Sequence, residues 1–117
     1  MISSDDATLD YAYLTTTGRT SGQPREIEIW FAATESGAFL LSGGRDRSHW
    51  VKNLMANPAV TLRIGDQTYS GTARLVDRTP EGDTARDRLF EKYSTRSKDD
   101  LRNWRDSSLP VAIDFAS

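Results

Sequence analysis

Two short runs hold the residues best suited to chemistry. The first is Ser42-Gly43-Gly44-Arg45-Asp46-Arg47-Ser48, in which paired glycines precede two arginines. Glycine lets backbone amides approach a ligand closely and point at it. Arginine adds a charged planar fork that grips phosphate or carboxylate through paired hydrogen bonds. The second run, Gly18-Arg19 to Pro24-Arg25, supplies another arginine pair. Both suit an anionic ligand. Taken alone neither is specific, since glycines ahead of a helix commonly just shape a turn and loop arginines are commonly solvated.

Composition removes several other chemistries. The chain has no cysteine, so it forms no disulfide and no thiolate metal site, and His49 is its single histidine. Zinc lacks its usual ligands, and no metal is expected. The formal net charge is −2, without the basic footprint of a nucleic-acid binder. The cations Arg19, Arg25, Arg45, Arg47, Lys52 and Arg63 lie in the middle of the chain, against Glu26, Glu28, Glu35 and Asp46. Residues 1–16 carry Asp5, Asp6 and Asp10 and no base. The middle is therefore where an anion belongs. No apolar run reaches the length of a membrane span or a signal-peptide core. The polar, acidic start reads as that of a cytoplasmic protein.

These residues need a scaffold. A chain of 117 residues suits one domain over 1–117, with 1–10 a loose or helical lead. Stretch 11–17 is aromatic and β-branched and reads as a strand. Stretch 25–34 alternates, with Ile27, Ile29 and Phe31 on one face, and returns as a hairpin through 38–42. Ser48 or Asp46 caps a helix over 49–57, with Trp50, Val51, Leu54 and Met55 on one stripe and Lys52, Asn53 and Asn57 away from it. Strands follow over 60–64 and 67–77, with Gly71 marking a bulge or bend. Thr79-Pro80 opens a helix running to about residue 94. A shorter helix covers 97–106, and 109–115 alternates as the closing strand. Six strands with short helices describe a mainly β, antiparallel barrel or sandwich. The hydrophobic fraction of 37% gives a small core, which leans toward a homodimer.

The order of the two runs is more specific than either alone. Residues 14–25 (Leu-Thr-Thr-Thr-Gly-Arg-Thr-Ser-Gly-Gln-Pro-Arg) resemble the opening block of the deazaflavin-dependent nitroreductases. Ser42-Gly43-Gly44, Trp50, Asn53-Leu54, Ala56-Asn57-Pro58 and Val60 are similar to that family's second block. The resemblance implies a six-stranded split β-barrel of the pyridoxamine-phosphate-oxidase-like kind. It implies coenzyme F-420, a deazaflavin whose side chain carries a phosphate and glutamates. It assigns that tail to Arg19, Arg25, Ser42, Gly43, Gly44, Arg45 and Arg47, with Asn53 beside them. The implied reaction passes hydride to a small unsaturated, quinone or nitro acceptor.

Hydride transfer asks little acid–base work of the protein, which suits a chain without an evident catalytic pair. Tyr93 is the one candidate proton donor, with core packing the competing reading. Tyr93 and Trp104 are the aromatics, besides Phe90, available to line a substrate pocket. The alternative is a binding module of the same barrel that holds FMN, haem or a lipid without turnover.

Overall fold

The computed structural model describes residues 1–116. Its strands are β1 (Ala12–Thr17), β2 (Pro24–Ile29), β3 (Ala32–Ala33), β4 (Gly37–Ser42), β5 (Ala59–Ile64), β6 (Gln67–Leu75) and β7 (Leu109–Phe115). Three α-helices join them: α1 (His49–Ala56), α2 (Pro80–Tyr93) and α3 (Arg102–Ser107). The lead contains a 3-10 turn at Asp6–Thr8, and its Ile2 is buried in the core.

All strands pair antiparallel in one sheet of order β2-β1-β5-β6-β7-β4-β3. The two ends of the sheet, β2 and β3, are consecutive in the chain, so the sheet must curl until they meet. Only Trp30 and Phe31 lie between them. The expected barrel is thus present, with seven strands in place of six because stretch 25–34 splits in two. The split also changes the hairpin. Only Ala32 and Ala33 return against β4, at Phe39 and Ala38. β2 instead pairs with β1 along its full length, from Thr17↔Pro24 to Ala12↔Ile29.

Alternation in β1 and β5 sends Ala12, Leu14, Leu62 and Ile64 into the barrel, where Leu40, Val111 and Ile113 meet them. β4 and the first five residues of β7 are buried on both faces. Their outer face carries α2 through Ala85, Leu89 and Tyr93, one turn apart along a single stripe. Burying a leucine there contributes about 1.5–3 kcal/mol. The Thr79 hydroxyl accepts from the Gly82 amide at 3.0 Å, the capping bond that the Thr-Pro pair implied. Gly71 makes no bulge. Register runs through it from Val60 to Phe115, and it is glycine because a Cβ would lie 2.6 Å from the Asp114 carbonyl oxygen.

α1 packs on the barrel through Val51 and Leu54. Met55, expected on the same stripe, is 58% exposed, while Asn53, expected off it, is 5% exposed. An apolar stripe cannot register an amide buried by hydrogen bonds.

Candidate functional site

The loop joining β1 to β2 is closed by the Gly18 amide donating to the Gln23 carbonyl at 2.8 Å and the Gly22 amide to the Gly18 carbonyl at 2.8 Å. Gly22 has φ +72°, a conformation that glycine adopts without strain. The closed loop carries Arg19 on its rising limb, and Arg25 follows at the start of β2. α1 runs beside them. Between loop and helix lies an open groove of about 710 Å³ whose lining includes Arg19, Arg25, Ile27, His49, Trp50 and Asn53.

Arg19 is held from two sides. The Asn53 Oδ1 accepts from its backbone N at 3.2 Å and from its Nη1 at 2.8 Å. Its Nη2 lies 3.3 Å from His49 Nδ1. Arginine only donates, so Nδ1 is the acceptor and the ring proton sits on Nε2. Asn53 is fixed in turn, its Nδ2 donating to the buried Thr16 hydroxyl at 3.2 Å. Arg25 makes one long contact, Nη2 to Ser21 Oγ at 3.5 Å. Neither arginine has a carboxylate partner among the described residues. Glu26 also borders the groove, but its carboxylate faces Arg63 at 4.0 Å.

The loop from Ser42 to Arg47 does not join this lining. Ser42 is 2% exposed, and its hydroxyl donates to the Arg45 carbonyl at 2.9 Å and lies 2.8 Å from Ser48 Oγ. Ser48 is the first residue of the helix cap, yet its hydroxyl is turned to Ser42 and makes no capping bond. Arg45 has φ +54° and its side chain leaves the groove. Its Nη1 donates to the Ser107 carbonyl at 2.8 Å and its Nη2 to Asp77 Oδ2 at 2.5 Å. Asp77 Oδ1 accepts from Arg86 at 2.9 Å. Burial opposes ionisation of Asp77, but the hydrogen bonds from Arg86 and Arg45 outweigh it and hold the carboxyl below its usual value. The structure thus does not bring Arg45 together with Arg19 and Arg25 in this groove; its side chain links Ser107 and Asp77 instead. Arg47 is exposed on the short 3-10 turn Arg45–Arg47. Gly43 lies against Trp104, whose Cδ1 would stand 3.6 Å from a Cβ there, and Gly44 is crowded by Ser48 Oγ.

Tyr93 is placed away from the groove. It is 1% exposed. Its hydroxyl accepts from the Phe31 amide at 3.0 Å and donates to the Asp10 carbonyl at 2.9 Å. Burial pushes its pKa up to about 12. Its ring lies in the buried cluster beneath α2. Trp104 is half-buried and meets Trp30 edge to face, ring centroids 5.4 Å apart at 84°. It packs on the α2 side of the sheet and takes no part in the groove. His49, and Trp50 from the apolar stripe of α1, are groove walls. Their signal was position: both sit within the second motif block, one turn ahead of Asn53.

No helix of the described residues is long and apolar enough to cross a membrane, and no cluster of metal ligands occurs among them. The model of the F420H(2)-dependent quinone reductase family matches residues 5–115. The chain is similar to a solved F420-H2 dependent reductase (FDR-A), with 25% identity over 90% of this chain and 93% of that one and a TM-score of 0.67. It is similar to a structure described as a domain-swapped dimer, with 26% identity over 90% and 79% of the two chains and a TM-score of 0.69. It also shares its fold with HutZ, the heme storage protein from Vibrio cholerae, with 16% identity over 92% and 82% and a TM-score of 0.73.

Proposed function

This chain belongs to the F420H(2)-dependent quinone reductase family, and on that premise we propose that the groove between the β1–β2 loop and α1 holds the anionic side chain of the coenzyme. The chain is an oxidoreductase that depends on coenzyme F-420 and acts on a small-molecule acceptor. The residues of the groove fit such a group. A tail of phosphate and carboxylates needs cations and N–H donors, and Arg19 and Arg25 offer both with no carboxylate partner among the described residues. The apolar walls Ile27 and Trp50 suit a ring system at the same site.

The observation that carries the assignment is the convergence of Arg19 and Arg25, from the two ends of one loop, on a single groove. The bound coenzyme supplies the hydride. The chain's own part is to bind and to orient. Arg19 and Arg25 take the charged tail, Asn53 and His49 keep Arg19 in place, and Ile27 and Trp50 exclude water from the wall they form. Tyr93 holds no proton for the reaction, because its hydroxyl is spent on backbone groups. The acceptor we assign is an unsaturated, quinone or nitro compound. We further assign a cytoplasmic location, and a homodimer supported by the domain-swapped relative.

The test is a titration of the purified protein with oxidised F-420, read by fluorescence at low salt. Saturable micromolar binding that weakens as salt rises is expected. No binding at low salt overturns the assignment, and preferential binding of FMN or haem in the same panel replaces it.

A further inference from the structure

Asn53 is buried at 5% exposure although the groove it lines also carries the exposed side chains of Arg19, Arg25 and His49. Its polar atoms are already committed. The oxygen receives both the backbone N and Nη1 of Arg19, at 3.2 and 2.8 Å. The amide nitrogen donates to Thr16 Oγ1 at 3.2 Å, and Thr16 is 2% exposed on β1. The carboxamide accepts from the arginine through its oxygen and donates to the hydroxyl through its nitrogen. Through this one side chain α1, β1 and the β1–β2 loop are tied at a single point.

We propose that Asn53 is a positioning residue that does not bind the cofactor itself, but locks the Arg19 backbone and guanidinium in the geometry that receives the cofactor's anionic tail. The proposal rests on the assignment of the groove to that tail. A free arginine samples many rotamers and loses that freedom when it binds. Arg19 loses it in folding instead, pinned at Nη1 by Asn53 and at Nη2 by His49. Its remaining N–H donors are left for the groove.

Asn53→Asp separates positioning from charge. The variant has the same shape, and its carboxylate accepts the same two bonds while the Thr16 hydroxyl turns to donate. Arg19 stays in place, but its charge is neutralised. Binding of F-420, followed by fluorescence, should weaken about tenfold, the loss of one charge-assisted contact. The salt dependence of binding should become shallower, since one cation no longer acts on the ligand. The charge-neutral double variant Arg19→Ala/Asn53→Ala should bind no more weakly than Arg19→Ala alone. A purely structural Asn53 would instead show losses that add to those of Arg19→Ala, and either that result or wild-type affinity in Asn53→Asp overturns the proposal. If wild type itself binds no F-420, the groove assignment fails. The lock is then judged in the free protein by NMR: a slowly exchanging Arg19 guanidinium signal in wild type, lost in Asn53→Ala, supports it, and an equally mobile Arg19 in both overturns it.

Discussion

Tyr93 and Trp30 stack face to face, ring centroids 4.2 Å apart and 4° from parallel. The stack fastens the end of α2 to the short link between β2 and β3. The hydroxyl at the far end of the same ring bridges the Phe31 amide and the Asp10 carbonyl. Tyr93→Phe keeps the stack and orphans a buried N–H, which costs about 1–3 kcal/mol. Chemical denaturation measures it. Reductase activity per folded molecule should be unchanged, whereas a proton donor would lose most of it.

The same variant changes the alkaline limb of stability. Tyr93 has its pKa raised from 10.0 to about 12 by burial. A raised folded value means stability that is complete below pH 10 and is lost as pH climbs toward 12. Wild type should therefore weaken through that window, and Tyr93→Phe should show a flatter profile. Equal slopes in the two proteins would place the titration elsewhere.

Asp77 contributes to the acid limb. It ties Arg45 of the glycine-rich loop to Arg86 of α2, whose side chain is only 16% exposed. Asp77→Asn leaves Arg86 short of its counter-charge and should cost about 1–3 kcal/mol, less than a fully buried pair because these groups remain partly wet. The carboxyl is held below its usual 3.8, so its contribution is present above that pH and disappears as pH falls through the folded value. Wild type should lose stability more steeply than Asp77→Asn below about pH 4.

Glycines 37 and 43 separate close packing from ligand access. A Cβ on Gly37 would lie 1.7 Å from the Ile113 carbonyl oxygen, inside the β4–β7 ladder. Backbone cannot yield there, and Gly37→Ala should cost about 3 kcal/mol or more by denaturant midpoint. At Gly43 the nearest atom would be Trp104 Cδ1 at an ordinary 3.6 Å. Gly43→Ala should shift stability by less than about 0.5 kcal/mol and leave F-420 affinity intact. A selective loss of affinity would return this loop to the cofactor site.

Much of the scaffold was legible because it obeys simple periods. Val60, Leu62 and Ile64 alternate, and Val111 and Ile113 with Phe115 do the same. Thr79-Pro80 states a helix start in two residues. The split of 25–34 was not legible, because alternation continues unbroken through Ile27, Ile29 and Phe31 while the hydrogen-bonding partner changes from β1 to β4. Asn53 was hidden for another reason. Its burial is set by Arg19 and Thr16, far away in sequence, and a helical wheel counts only apolar faces. The Arg45–Asp77 pair was hidden by the same distance in sequence. In the site, the two motif blocks located Arg19, Arg25 and Asn53 in one groove, and only the fold could show that loop 42–47 stands apart from it.

That separation gives the sharpest test of the groove. Arg25 and Arg47 are both exposed arginines without a carboxylate partner among the described residues, so removing either changes the net charge equally. They differ in address. Arg25 lines the groove beside Arg19, and Arg47 does not. If the tail is held locally, Arg25→Ala should weaken F-420 binding about tenfold or more, the worth of a hydrogen bond to a charged group. Arg47→Ala should weaken it by less than about twofold, the share of a screened distant charge, and that share should vanish near 0.5 M salt, where the Debye length falls to about 4 Å. Binding constants for both variants at low and high salt decide the matter. Equal losses that disappear together in salt would mean that the whole basic middle of the chain attracts the cofactor and that the groove does not grip it.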